Sequence, residues 1–173
     1  MIILLHKRRG DNVKTIDAGL KSQYLKRVYM AVDGLWYINI EKRFGFETAL
    51  QINREVWQVM PKIAARKIKE LLKLPHGKLE SLSESLAFRF AVEGYEVGQN
   101  RLRGQTLEIQ ITSCPWRLQI IKSGNEKLLS GNAERVCPEV YKTWGREFLD
   151  QFGFEMNPQM CKGGEICLLK FYK

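Results

Sequence analysis

The sequence predicts an α+β fold: an N-terminal helical layer packed on a mostly antiparallel sheet of about four strands, with two further helices. Three observations carry that expectation. Apolar residues recur at steps of three and four through the first half of the chain. A two-residue alternation sets in further on. Glycine-bearing turns then separate short segments up to the last strand. On this pattern residues 1–20 read as an N-terminal arm and 21–173 as a single α+β domain, divided into a helical part (21–86) and a sheet-containing, cysteine-bearing part (87–173).

The first helix sets in near Lys21. Leu25, Val28, Tyr29, Val32, Trp36, Ile40 and Phe44 mark its expected buried face. Gly45 stands where a helix-ending glycine belongs. Gly34, inside the helix, costs about 1 kcal/mol against alanine, which suggests close packing or a local bend. A second helix spans about Glu47 to Lys73, with Leu50, Val56, Trp57, Met60, Ala64, Ile68 and Leu71 facing inward. Pro61 predicts a kink or two abutting helices. Pro75-His76-Gly77 breaks the chain, and Ser81 and Glu84 have capping-box spacing for a short helix over 79–86.

The period then changes. Leu86, Phe88, Phe90 and Val92 alternate, as do Leu107, Ile109 and Ile111, which predicts two antiparallel strands joined by a loop over 98–104. Short helices fit Pro115 to Lys122 and Pro138 to Phe152. Phe154 to Met160 and Ile166 to Phe171 read as a closing hairpin around Gly163-Gly164.

Composition bounds the function. The 173 residues are 45% hydrophobic and 27% charged, enough for one core without covalent staples. No apolar run reaches the roughly 18 residues of a membrane span. The opening residues place Lys7-Arg8-Arg9 after the apolar stretch, the wrong order for a secretory signal, so a cytoplasmic protein without a membrane partner is expected. The net charge of +9 keeps nucleic acid open. The basic residues are dispersed among acidic ones, however, which favours solvated faces over a nucleic-acid partner. A homodimer is compatible with the sequence.

Four cysteines fall in the last third, at Cys-x22-Cys-x23-Cys-x5-Cys spacing: Cys114, Cys137, Cys161 and Cys167. In a reducing compartment they argue against a disulfide framework. Cys114 and Cys137 each precede proline, which favours the first helical position. Each would then sit at a helix N-terminus, where free N–H groups and the helix dipole lower a thiol pKa. Cys161 and Cys167 flank the Gly163-Gly164 turn. Converging, the four would make an all-sulfur site for zinc or an iron–sulfur cluster. Small buried hydrophobes and a catalytic thiol are the alternatives.

Several segments resemble a prokaryotic family of mostly uncharacterised proteins that borders on proteins labelled L-2-amino-thiazoline-4-carboxylic acid hydrolase-like. They are Asp33-Gly34-Leu35-Trp36-Tyr37 with Glu41, Trp57 near Ala64-Ala65-Arg66, Cys114-Pro115-Trp116, Ser123-Gly124, Cys137-Pro138, Trp144 with Glu147-Phe148, and Cys161-Lys162-Gly163 with Cys167. The pattern of the last third is also similar to the 4-vinyl reductase domain, a small-ligand-binding module. The resemblance implies a small-molecule ligand and cysteines as metal ligands. In its hydrolase form it implies opening of a cyclic amidine.

Other candidates come from the residues themselves. Asp33, Tyr37 and Glu41 share a helical face, and the two carboxylates could serve as acid or base, or pair with Lys62 or Arg66. Trp116 and Trp144 follow the Cys-Pro pairs and, with Trp36 and Tyr141, could wall a ligand pocket. His6 and His76 form no pair, which disfavours a histidine-based zinc site. The leading reading is a small-ligand- or metal-binding protein in which Cys114, Cys137, Cys161 and Cys167 hold zinc or an iron–sulfur cluster beside an aromatic pocket. The alternative is a hydrolase using Cys114, Cys137, Asp33 and Glu41.

Overall fold

Helices precede and flank a single four-stranded antiparallel sheet in the computed structural model, which describes residues 17–173. His6, Lys7-Arg8-Arg9 and most of the expected arm lie outside the described residues. The first helix, α1 (Ala18–Phe44), begins inside the expected arm. Asp17 caps it by accepting the Leu20 N–H at 2.7 Å. Gly45, at φ +84°, takes a backbone conformation that glycine adopts at no steric cost, and the next helix, α2 (Phe46–Leu71), starts at once.

α2 is one helix through Pro61 rather than two abutting ones. It buries Leu50, Trp57, Ala65 and Ile68, whereas Val56 and Leu71 are exposed. The stripe expected to bury α1 is largely exposed too: Leu25, Val28, Val32, Trp36 and Phe44 face outward, and Tyr37 is the buried residue. α1 packs mainly on α2, with further contacts to the next helix, to Trp116 through Tyr29 and to Asn125 and Lys127 through Glu41, which leaves much of the apolar stripe uncovered. The expected close contact at Gly34 is absent, because a Cβ there would meet nothing within 4 Å.

The third helix, α3 (Leu79–Glu93), replaces both the short capped helix and the strand expected over 86–92. Leu79, Leu82, Leu86 and Phe90 are buried while Phe88 and Val92 are exposed, a helical spacing that four alternating residues had disguised. Ser81 is buried within α3 and caps nothing; Lys78 holds the N-cap position.

The first strand is instead β1 (Glu96–Arg103), the stretch expected to be a loop. It is an exposed edge strand, and Arg101 and Arg103 give it the charges that discourage further pairing. β2 (Thr106–Ser113) and β4 (Cys167–Tyr172) form the centre, with β3 (Gly153–Met156) on the far edge, in the order β1-β2-β4-β3. Leu107, Ile109, Ile111, Leu169 and Phe171 alternate onto the core face. On the wet face Glu108 and Lys170 are cross-strand neighbours.

Helix α4 (Pro115–Lys122) matches expectation. The helix expected from Pro138 is longer at its start: α5 (Lys127–Gly131), a π-helical turn (Asn132–Val136) and α6 (Cys137–Arg146) follow one another without a break. Proline at 138 has no N–H to donate and crowds the preceding turn. A widened turn just before it relieves that crowding, as π-bulges do. Gly131 lets α5 approach α2, since a Cβ there would sit 2.8 Å from a Leu50 methyl.

Two apolar clusters result. One gathers the sheet face, α3, and Trp144 and Phe148 around Ala65 and Ile68 of α2. The other gathers Tyr37, Leu50, Trp57, Leu128, Val136 and Val140. α2 feeds both.

Candidate ligand pocket

A cavity of about 390 Å³ lies at the seam between the two clusters, a size suited to a small organic molecule. Ile111, Tyr141 and Met160 line it from one side, and Tyr37, Trp57 and Val140 from the other. All four cysteines line it as well. The topology explains why. β2 and β4 pair with Ile111 opposite Cys167. Cys114 follows three residues beyond Ile111 and caps α4 in extended conformation. The short 3-10 turn Met160–Lys162 carries Cys161 and points the Met160 N–H at the Cys167 sulfur, 3.2 Å away. The π turn delivers Cys137 from the helix above.

The expected lowering of the thiol pKa values does not occur. Burial pushes the Cys114 thiol up, against the Arg117 and Trp116 amides of α4, which favour the thiolate without forming an aligned hydrogen bond to sulfur. Burial pushes Cys137 well up, and the neighbouring Cys161, Cys114 and Cys167 add to it. Cys137 does not start a helix, because the chain is already helical before it, so the dipole argument has no free N–H groups to act through. Cys161 rises to about 11 and Cys167 rises too, both chiefly through burial. The wall is therefore four neutral thiols at pH 7. Among the described residues no three His, Cys, Asp or Glu side chains are grouped to hold a metal ion.

Among the described residues one cation lines the cavity: Arg89 of α3, which is 5% exposed. Burial opposes its charge, but the Glu93 carboxylate more than offsets this and keeps it protonated. Its Nε donates to Glu93 Oε1 at 3.0 Å, and its guanidinium lies 4.9 Å from the Trp144 ring centre and 5.8 Å from that of Tyr141. The other Glu93 oxygen accepts the Trp116 indole N–H at 3.1 Å. Arg89 Nη1 remains buried without a partner. Tyr37 Oη, Asn125 Oδ1 and Gln159 Oε1 are likewise buried and unpartnered, and all four residues line the cavity. Native interiors seldom leave such atoms unsatisfied; two more, Arg54 Nε and Arg117 Nε, belong to residues outside the lining.

The sequence candidates divide. Cys114, Cys137, Cys161, Cys167, Asp33, Trp116 and Tyr141 line the cavity. Burial raises the Asp33 carboxyl pKa, with the Trp57 indole N–H pulling the other way. Trp116 packs edge-on to Trp57 at 5.0 Å and to Tyr29 at 5.5 Å. Glu41 is not in the lining. It pairs with Lys127, which lowers its pKa, and accepts from Asn125 Nδ2 at 3.0 Å. Neither Lys62 nor Arg66 is its partner; Arg66 pairs with Glu147 at 2.7 Å. Trp36 is 67% exposed on the outer side of α1, and Trp144 is wholly buried, donating to Ser85 Oγ at 2.9 Å, so neither walls the cavity. His76 lies against Asp150 at 2.9 Å, away from the site. Arg89 escaped the sequence reading because 86–92 was read as a strand. On the helical period it falls on the buried face of α3 with Glu93 four residues on, and a buried charge needs such a partner.

Residues 16–126 match the model of a family of unknown function, DUF6125. The chain belongs to that family. The matched segment carries Asp33, Arg89 and Cys114 and stops before Cys137, Cys161 and Cys167. No curated protein and no solved structure matches the chain. Among the described residues of this DUF6125 member no helix is long and apolar enough to cross a membrane.

Proposed function

We propose that this DUF6125 member is a small-molecule-binding protein whose ligand occupies the cavity between the two clusters. The observation that carries the reading is the coincidence of an apolar, thiol- and aromatic-lined cavity with four buried, unpartnered polar atoms on its lining residues. The apolar wall supplies affinity by burying ligand surface, and the polar atoms fix its orientation. Neutral thiols suit this role because they act as soft, polarisable wall atoms. Titration with the neutral fluorophore N-phenyl-1-naphthylamine tests the reading. Saturable binding that quenches Trp57 and Trp116, and that is weakened by Val140→Trp, is expected. Absence of saturable binding overturns it.

The second reading is a zinc or iron–sulfur site on the same four cysteines, favoured by their all lining one cavity, though no three of them are grouped to hold a metal ion among the described residues. A metal would have to displace protons that burial now holds on the thiols. Metal analysis of anaerobically purified protein decides between the two: negligible metal per chain removes this reading. Ring opening of a cyclic amidine would call on Cys114 or Cys137 with Asp33. The raised thiol pKa values weigh against a thiolate nucleophile.

A further inference from the structure

We propose that Arg89 makes the cavity a carboxylate site, so that the ligand is a small amphipathic monocarboxylate with an apolar body. The inference rests on the binding function above and goes further by naming the ligand's head group. Arginine carries five N–H donors in a planar fork and cannot be deprotonated. In this chain Glu93 takes Nε, and Nη1 is buried and unpartnered. The second oxygen of Glu93 already accepts the Trp116 indole N–H at 3.1 Å. The guanidinium lies against the Trp144 and Tyr141 rings, 4.9 and 5.8 Å from their centres. The groups interacting with it on the cavity side, Cys114, Cys137, Tyr95 and Tyr141, are kept neutral by burial, so no second anion from them competes for it. Among the described residues Asp33 is the one carboxyl in the lining, carried by α1. A ligand carboxylate would therefore find a preorganised, desolvated cation at one end of an apolar chamber, where a charge-assisted hydrogen bond is strongest.

The test is competition against bound N-phenyl-1-naphthylamine by decanoate, decan-1-ol and decyltrimethylammonium. Decanoate should displace the fluorophore at least about tenfold more tightly than the alcohol, and the cation should compete worst. In the double variant Arg89→Met/Glu93→Gln, which removes the charge without stranding its partner, the ratio of decanoate to decan-1-ol competition should fall to about one, whatever the change in fluorophore affinity. Equal competition by acid and alcohol, displacement by neither, or a preference retained in the double variant overturns the carboxylate assignment and leaves the binding function standing. Failure of the fluorophore itself to bind overturns the binding function instead. The three-ligand comparison uses the unaltered protein and decides the matter even if the double variant does not fold.

Discussion

Arg89→Met isolates the energetic consequence of placing a charge pair beside the cavity. Methionine keeps an unbranched apolar side chain in the space, so overpacking and voids contribute little. What is lost is the cation. Glu93, whose side chain is 20% exposed, keeps the Trp116 N–H but loses its counter-charge. Stranding one member of a buried pair costs about 3–5 kcal/mol, and the partial exposure of Glu93 places the expectation near the lower end, about 3 kcal/mol. That is a large share of the roughly 5–15 kcal/mol by which domains are stable. Replacing both members, Arg89→Met/Glu93→Gln, removes the stranded charge and should restore at least about 2 kcal/mol of the loss. Urea unfolding of the three proteins, compared by extrapolated free energy at constant m, measures both quantities. A single variant within about 1 kcal/mol of the parent, or a double variant no more stable than the single, would refute the claim that Arg89 is a desolvated cation held by Glu93.

Four further outcomes follow from the same geometry. Gly34→Ala should stabilise the protein by up to about 1 kcal/mol in thermal melts, because a Cβ there meets nothing within 4 Å and the helix gains propensity. Gly34→Leu, projecting from a residue of the cavity lining, should weaken N-phenyl-1-naphthylamine binding; unchanged affinity would place the ligand elsewhere. Stability should fall as pH rises from about 9 to 11. The unfolded thiols release their protons near 9.0, while the folded Cys161 thiol holds its proton to about 11, so the native state binds more protons over that window. Cys161→Ala should flatten the decline, and an unchanged slope would contradict the burial argument. Finally, the folded protein should react slowly with an aryl disulfide reagent at pH 8 and release all four thiols at once on denaturation. Rapid reaction of Cys114 in the folded state would restore the thiolate expectation.

Much of the fold was legible where one periodicity spoke alone. α4 and β2, and the pairing of β3 with β4, follow from Pro115, from the Leu107-Ile109-Ile111 alternation and from the Gly163 turn. Readings failed where tertiary context decided. Glu96 to Arg103 has little apolar alternation and is a strand because β2 offers it a ladder. Leu86 to Val92 alternates by accident over four positions within a longer helical stripe. The α1 stripe marked a helix correctly yet could not say what would cover it. For the site, all four cysteines line one cavity together with Asp33, Trp116 and Tyr141, but among the described residues they are not grouped as metal ligands. Their protonation was not legible, because burial outweighs the helix terminus at Cys114 and the π turn removes that terminus at Cys137. The unpartnered atoms of Tyr37, Arg89, Asn125 and Gln159 come from α1, α3 and two connecting segments and carry no shared motif.

The central claim is that a small molecule sits between the two clusters. Intermolecular NOE measurements on the protein saturated with N-phenyl-1-naphthylamine test it most directly, because the outer faces of α1 and α2 offer a rival apolar surface. The account predicts contacts from the fluorophore to the methyl groups of Leu128, Val136 and Val140, all in the cavity lining. Contacts confined to Val59, Ile63 and Leu71, which are exposed on α2, would contradict it.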